Sequence, residues 1–275
     1  MTKPAALKLL FNATGILIGL FLVGYILFSG FLPETETSCH ERYPSTTRLS
    51  LRSSQGEPLS PIELQARSGF ASWGVKDNAS VVRQGADGTA LQVKLATLSD
   101  VEAVTKRATN GIHFLWHLAA IGKATSACLS YSVWLPKDFA FEDGGVLPGL
   151  IGGVPGEASD ANRFATLARW QDNGKIGLDA ALPGARFRPA DEADATLPAG
   201  RWTRIDQEIT LNTPGKPDGS VHMWIDGHRA GEKDKLVLRK VETAQFIGIG
   251  VDVGYLSDPK KAAELRLTPF ELSWR

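Results

Sequence analysis

The sequence predicts an all-β sandwich or barrel preceded by one N-terminal transmembrane helix. Three observations lead there. A long apolar run opens the chain. Short segments of period-two alternation recur through its later two thirds. Gly, Pro, Asp-Gly and Asn-Gly turn signals separate those segments. At 275 residues, the chain can hold one sizeable domain and its attachments.

From Leu9 to Leu32 only Asn12, Thr14 and Ser29 interrupt the apolar residues. As a helix this run would be roughly 36 Å long, enough to cross a bilayer core of ~30 Å with some tilt. Lys3 and Lys8 precede it, and Glu34 and Glu36 follow it. The positive-inside rule leaves a cytoplasmic stub and sends the rest of the chain to the periplasm or the exterior. A cleaved signal peptide would have a shorter core and a small-x-small site. Phe31-Leu32-Pro33-Glu34 is a poor site, so residues 1–32 are read as an uncleaved signal anchor. The Ser-, Thr-, Pro- and Glu-rich residues 33–62 read as a tether, and residues 63–275 as the folded domain.

Within that domain, Leu91, Val93 and Leu95 alternate with Gln92 and Lys94 after the turn Gly85-Ala86-Asp87-Gly88. Ile112, Phe114, Trp116 and Leu118 alternate with His113, Leu115 and His117. Residues 163–171 and 175–182 form a hairpin around Asp172-Asn173-Gly174, because Asn-Gly suits the turns that join twisted strands. Strands are also expected over 202–211, 221–225, 246–253 and 265–274.

Composition excludes some functions. Lys+Arg and Asp+Glu both total 30, so no general basic surface for nucleic acid is indicated. No Cys/His metal spacing or phosphate-loop pattern occurs, and no metal or cofactor is expected. A local basic groove for an acidic glycan remains compatible with zero net charge.

The most specific stretch is ACLSYSVWLPKDFAFEDGGVLPGLIGG, residues 127–153. Leu129, Tyr131, Val133 and Leu135 point one way, and Cys128, Ser130, Ser132 and Trp134 the other. A glycine-rich loop is expected after Pro136. This stretch resembles the central signature of polysaccharide lyase family 14. GRWTRIDQEITLN with DGSVHMWIDG resembles the strand pair of concanavalin-like jelly rolls. The resemblance implies a jelly-roll β-sandwich that binds an acidic, uronate-containing polysaccharide and cleaves it by β-elimination. It also implies a loop lysine, an arginine on the next strand, and tyrosines on the strand after it. Here the lysine position is Val146 and the arginine position is Leu167, with Arg169 two residues on. Residues 176–181 contain no tyrosine. Either other residues carry the chemistry, or the fold lacks lyase activity.

Elimination needs a charge beside the uronate carboxylate and a base for the C5 proton. His113 and His117 are candidate bases on one strand face, with imidazole titrating near ~6.5; surface residues of an edge strand are the alternative. Arg169 could supply the charge, and Tyr255 is the remaining tyrosine considered for catalysis. Val146, Arg169, Asp179 and Asp252 are the expected substrate-binding positions. Arg169 and Asp179 could instead form a structural ion pair. Gly248, Gly250 and Gly254 around Asp252 either bare one sheet face for a sugar or admit another backbone. Trp134 and Trp224 could stack on sugars, though burial is more usual. His222 is expected in solvent. Cys39 and Cys128 could form a disulfide in an oxidising compartment. The preferred alternative is a buried Cys128 and a free Cys39.

Overall fold

Period-two segments stack into two sheets in the computed structural model, which describes residues 18–25, 38–68, 72–83, 88–95, 110–157, 160–187 and 195–275. The chain divides into two units, Met1–Glu36 and Thr37–Arg275. In the first unit residues 18–25 are helical, with exposed side chains. Most of the anchor expected over residues 9–32 lies outside the described residues. Among the described residues no helix is long and apolar enough to cross a membrane.

The second unit is a β-sandwich, in keeping with a jelly roll. Its first sheet holds nine described strands. They are β1 (Ser45–Arg48), β2 (Ala79–Val82), β3 (Ala90–Leu95), β5 (Ser126–Trp134), β11 (Trp202–Thr210), β12 (Gly219–Ile225), β13 (His228–Leu236), β15 (Ala263–Leu267) and β16 (Glu271–Trp274). The second sheet holds seven: β4 (Ile112–His117), β6 (Gly145–Leu147), β7 (Gly149–Gly153), β8 (Phe164–Trp170), β9 (Ile176–Leu182), β10 (Ala185–Phe187) and β14 (Gln245–Tyr255). Strand pairings among the described residues are antiparallel, so one face of each sheet can pack while the other meets solvent.

The core lies between the sheets. From β5 come Leu129, Tyr131 and Val133; from β11 come Ile205 and Ile209; from β8 and β14 come Phe164, Trp170, Phe246 and Ile249. Each of these side chains is removed from water, which contributes roughly 1.5–3 kcal/mol per large apolar group before the chain's entropy opposes it. A polar tie crosses this core. The Tyr131 hydroxyl donates to the Pro148 carbonyl at 2.9 Å, and Gln207 Nε2 donates to the same oxygen at 2.6 Å. It fixes the bend between β6 and β7.

Several expectations change. The stretch from 144 to 153, read as a loop, contains two sheet strands, because glycine replaces the side chains that would reveal their alternation. A Cβ on Gly145 would lie 2.0 Å from the Trp170 ring, and one on Gly152 the same distance from Phe164. These glycines therefore admit large core rings. The run 265–274 is two strands, both pairing with β5. The tether read over 33–62 is part of the sandwich from Cys39 onward. Its β1 pairs with β16, and Leu49, Leu51 and Leu59 are core residues.

The preferred reading of the cysteines is also corrected. Cys39 and Cys128 are bonded, and both are fully buried beside Trp224 and Tyr43. The polar turn Cys39–Arg42 lies over the first sheet, which brings two cysteines 89 residues apart into register. Closing so long a loop restricts the unfolded chain and contributes about 2–4 kcal/mol. Trp224 is buried, with Arg42 and Arg229 guanidinium groups at 5.3 and 5.6 Å from its ring centre. Trp134 is half-exposed beneath Arg266 at 4.8 Å.

Candidate functional site

The outward face of the second sheet carries the site. On β8 the even-numbered side chains Phe164, Thr166, Ala168 and Trp170 are buried, while Ala165, Leu167 and Arg169 are half-buried on the opposite face. Strand register extends this face sideways. Val146 lies opposite Arg169, Arg169 opposite Gly177, and Leu167 opposite Asp179. On the other side Gly254 lies opposite Val146, and Asp252 opposite His113.

A groove of about 600 Å³ crosses this face from β4 to β10. Ile151, Ala165, Leu167 and Leu182 give it an apolar floor, Arg163 lines it just ahead of β8, and His113 and Asp252 line its β4 end. His113 Nδ1 is 3.8 Å from Asp252 Oδ2, and both side chains are more than a third exposed. The Trp73 ring stacks on the imidazole at 5.8 Å, and the two backbones exchange hydrogen bonds of 2.9 and 3.0 Å. The imidazole is thus held against an indole on one side and a carboxylate on the other.

Arg169 lies one outward position beyond Leu167, so about 7 Å along the strand. Its Nε is buried and has no hydrogen-bond partner. The expected alternative, Asp179 facing Arg169 across the hairpin, is not the register found. Register sets Asp179 opposite Leu167 instead, where it is 6% exposed. Asp179 is thus on the predicted face but nearly closed to a ligand. Asp252 and Val146 are on that face and accessible.

Two candidate bases are not in the groove. Tyr255 points into the core, packed with Phe139 and Trp170, and its hydroxyl donates to the Ala140 carbonyl at 2.5 Å. Burial pushes its phenol well above the usual range, with Glu142 adding to the shift. It cannot serve as a base on the outer face. His117 shares the His113 face but is exposed opposite Gly248 and does not line the groove.

The glycines around Asp252 divide between the two readings. Side chains at Gly248 and Gly254 would strike the Trp116 carbonyl at 2.0 Å and the Asn110 carbonyl at 2.6 Å. Those glycines serve backbone packing. A Cβ on Gly250 would meet nothing nearer than 3.8 Å, and Gly250 lines the groove. It keeps the surface bare for a ligand.

His222, expected in solvent, sits on the first sheet between Glu208 and Asp234, with Nδ1 3.4 Å and Nε2 3.2 Å from their carboxylates. Its side chain is 18% exposed. Arg163, Trp73, Tyr131 and Gln207 were not singled out as site residues. Arg163 reads as the first residue of an expected strand, Trp73 precedes a single turn of helix, and the two residues holding Pro148 read as ordinary strand positions.

The arrangement can receive a pyranose on its apolar floor and offer charge at its edges. It lacks the chemistry the resemblance leads one to expect, since the outward positions are Val146, Leu167, Gly177 and Asp179. No lysine, tyrosine or arginine stands at those four points.

The family model for polysaccharide lyase 14 matches residues 83–186 and 190–255. No curated protein matches the chain significantly. Among solved structures, a marine PL-14 alginate lyase from Aplysia kurodai superposes with a TM-score of 0.65 at 20% identity, covering 85% of this chain and 99% of its own. An alginate lyase from a Chlorella virus gives 0.62 at 16% identity, over 83% and 99%. An endo-β-1,4-glucuronan lyase from the fungus Trichoderma reesei gives 0.51 at 16% identity, over 76% and 90%. At these identities the structures share the fold. With the model match spanning more than half its length, the chain belongs to the polysaccharide lyase 14 family.

Proposed function

We propose that this protein binds an acidic polysaccharide in the groove of the second sheet and eliminates it slowly or not at all. The observation that carries the reading is an open groove on the outward face, with the unpartnered Nε of Arg169 one strand step beyond it. A filled face would have favoured a structural role. A guanidinium suits a uronate carboxylate.

Weak turnover follows from the substituted positions. A missing acid or base group costs on the order of 10²–10⁴ in rate. Contacts along a groove do not need that group, so binding survives its loss. Of the candidate bases His113, His117 and Tyr255, only His113, held between Trp73 and Asp252, lines the groove.

The apolar run over residues 9–32 and its charged flanks support a single-pass anchor in the inner or plasma membrane, with the sandwich outside the cytoplasm. The buried Cys39–Cys128 bond fits such an oxidising compartment.

Titrating the purified full chain with polymannuronate and polyglucuronate in a calorimeter tests the binding claim. Binding is expected, and Arg169→Ala is expected to weaken it about tenfold, the scale of one charge-assisted hydrogen bond. If neither these nor any other acidic glycan binds, the reading fails and a structural role replaces it.

A further inference from the structure

The groove's charge pattern says which acidic glycan it suits, an inference that rests on the binding reading above. Polyuronates carry a carboxylate on every sugar. A site for such a chain needs cations at successive sugars and no anion among them. This groove is different. Its described charged lining is Arg163 and Asp252, with His113 beside the aspartate. Arg169 stands one strand step outside, next to Val146. Between these ends the floor is Ile151, Ala165, Leu167 and Leu182, which offers no polar side chain to a carboxylate.

Asp252 is the discriminating residue. Its side chain is 34% exposed, its charged neighbour among the described residues is His113 at 3.8 Å, and no hydrogen bond to its carboxylate is found among them. It is also set beside Gly250, where the sheet surface is bare, so a sugar can come close. An open carboxylate at that spot accepts hydrogen bonds from the hydroxyls of a neutral sugar. The same carboxylate repels a uronate placed there, and the partly desolvated groove strengthens that repulsion. The apolar floor fits the C–H face of an uncharged pyranose for the same reason.

We propose that the groove takes a mixed glycan, with a neutral sugar against Asp252 and the apolar floor and a uronate toward Arg169. A homopolymer of uronates is disfavoured, because one of its carboxylates must lie against Asp252.

The test compares three polymers on the purified full chain by calorimetry at low salt: polymannuronate; deacylated gellan, whose uronates are separated by neutral sugars; and carboxyl-reduced gellan. Deacylated gellan is expected to bind about tenfold more tightly than polymannuronate, a modest figure for removing one like-charge contact. Asp252→Asn, which keeps the shape and an acceptor, is expected to raise polymannuronate affinity about fivefold or more and narrow the preference. Carboxyl-reduced gellan is expected to bind more weakly than its parent, because the Arg169 contact is lost. Polymannuronate binding as tightly as gellan, or an unchanged preference in Asp252→Asn, overturns this inference and leaves acidic-glycan binding standing. Equal binding of the reduced polymer removes the uronate contact, and failure of both acidic polymers to bind removes the underlying reading as well.

Discussion

At the scale of single residues, two side chains decide how far the fold has moved from elimination chemistry. Val146 stands beside Arg169 where the family resemblance leads one to expect a lysine, so the position offers no charge and no proton. Arg169 occupies the same face as Leu167, one outward position away. That parity was legible in the sequence, since alternate residues on a strand share a face. So was the error over Tyr255. It lies three residues from Asp252, and on one regular strand an odd spacing puts two side chains on opposite faces. What periodicity could not supply was register, which set Asp179 opposite Leu167 and separated it from Arg169. His222 gives a residue-scale prediction of a different kind. The hydrogen bond its imidazole donates to Glu208 raises it above the usual value, and Asp234 adds to this, against the opposing effect of burial. The folded protein therefore holds a proton that the unfolded chain releases near pH ~6.5. That stabilisation is complete below the unfolded value and is lost as pH rises through the raised folded value. Burial acts to raise the Glu208 carboxyl, but the hydrogen bonds it accepts from His222 and Tyr43 outweigh it and hold the group low, so its ionised form persists through this window. Melting temperature should fall as pH rises above the unfolded value of ~6.5 and through the raised folded value, and His222→Gln should flatten that slope. An equal slope in the variant would show that other groups set it.

At the scale of elements, the glycine-rich signature explains why the fold persists where the expected lysine, arginine and tyrosine positions are substituted. Gly145, Gly149 and Gly152 are small because the Trp170 ring, the Thr166 carbonyl and the Phe164 ring occupy the space of their missing side chains. The signature is therefore a packing pattern, and its presence says nothing about turnover. Two substitutions separate a structural glycine of the signature from Gly250 of β14, which lines the groove. Gly149→Ala would put a Cβ 1.7 Å from the Thr166 oxygen and should destabilise the sandwich by about 3 kcal/mol or more. Gly250→Ala has room, so thermal stability should stay within about 0.5 kcal/mol, while the added methyl on the groove floor weakens glycan binding. Melts and titrations on both variants check this, and unchanged glycan affinity in Gly250→Ala would place the ligand elsewhere. The same packing logic explains which strands were hard to read. β3, β4, β5 and β12 alternate plainly, with Leu, Val, Phe or Ile among the inward residues, and β8 is marked by the Asn173-Gly174 turn that follows it. In β6 and β7 glycine hides the alternation. β13 reads as a charge run, HRAGEKDKL, because it is an edge strand with mostly exposed side chains. β1 is short and built of Ser, Thr and Arg, so it resembled a tether.

At the scale of the whole molecule, the two sheets hold separate structures. The first carries the Cys39–Cys128 bond and the Glu208–His222–Asp234 cluster. The second carries the groove. The N-terminal run adds an anchor in the proposed layout. The full chain should therefore stay with membranes through a high-salt wash, which would release a protein held only by surface charge. A mature N-terminus between Ser29 and Cys39, with the protein soluble, would contradict the anchor. The central claim is a lyase-family fold that keeps the binding face and lacks efficient elimination. Elimination leaves a C4–C5 double bond conjugated to the uronate carboxylate, and that product absorbs in the ultraviolet. The most direct measurement mixes excess purified full chain with polyglucuronate or polymannuronate and follows this absorbance. We predict little or no rise above a heat-denatured control, and the same for Val146→Lys, because the outward positions on β8 and β9 remain altered. Rapid accumulation of unsaturated product by the wild-type chain would contradict the account and show that other residues of the groove carry the reaction.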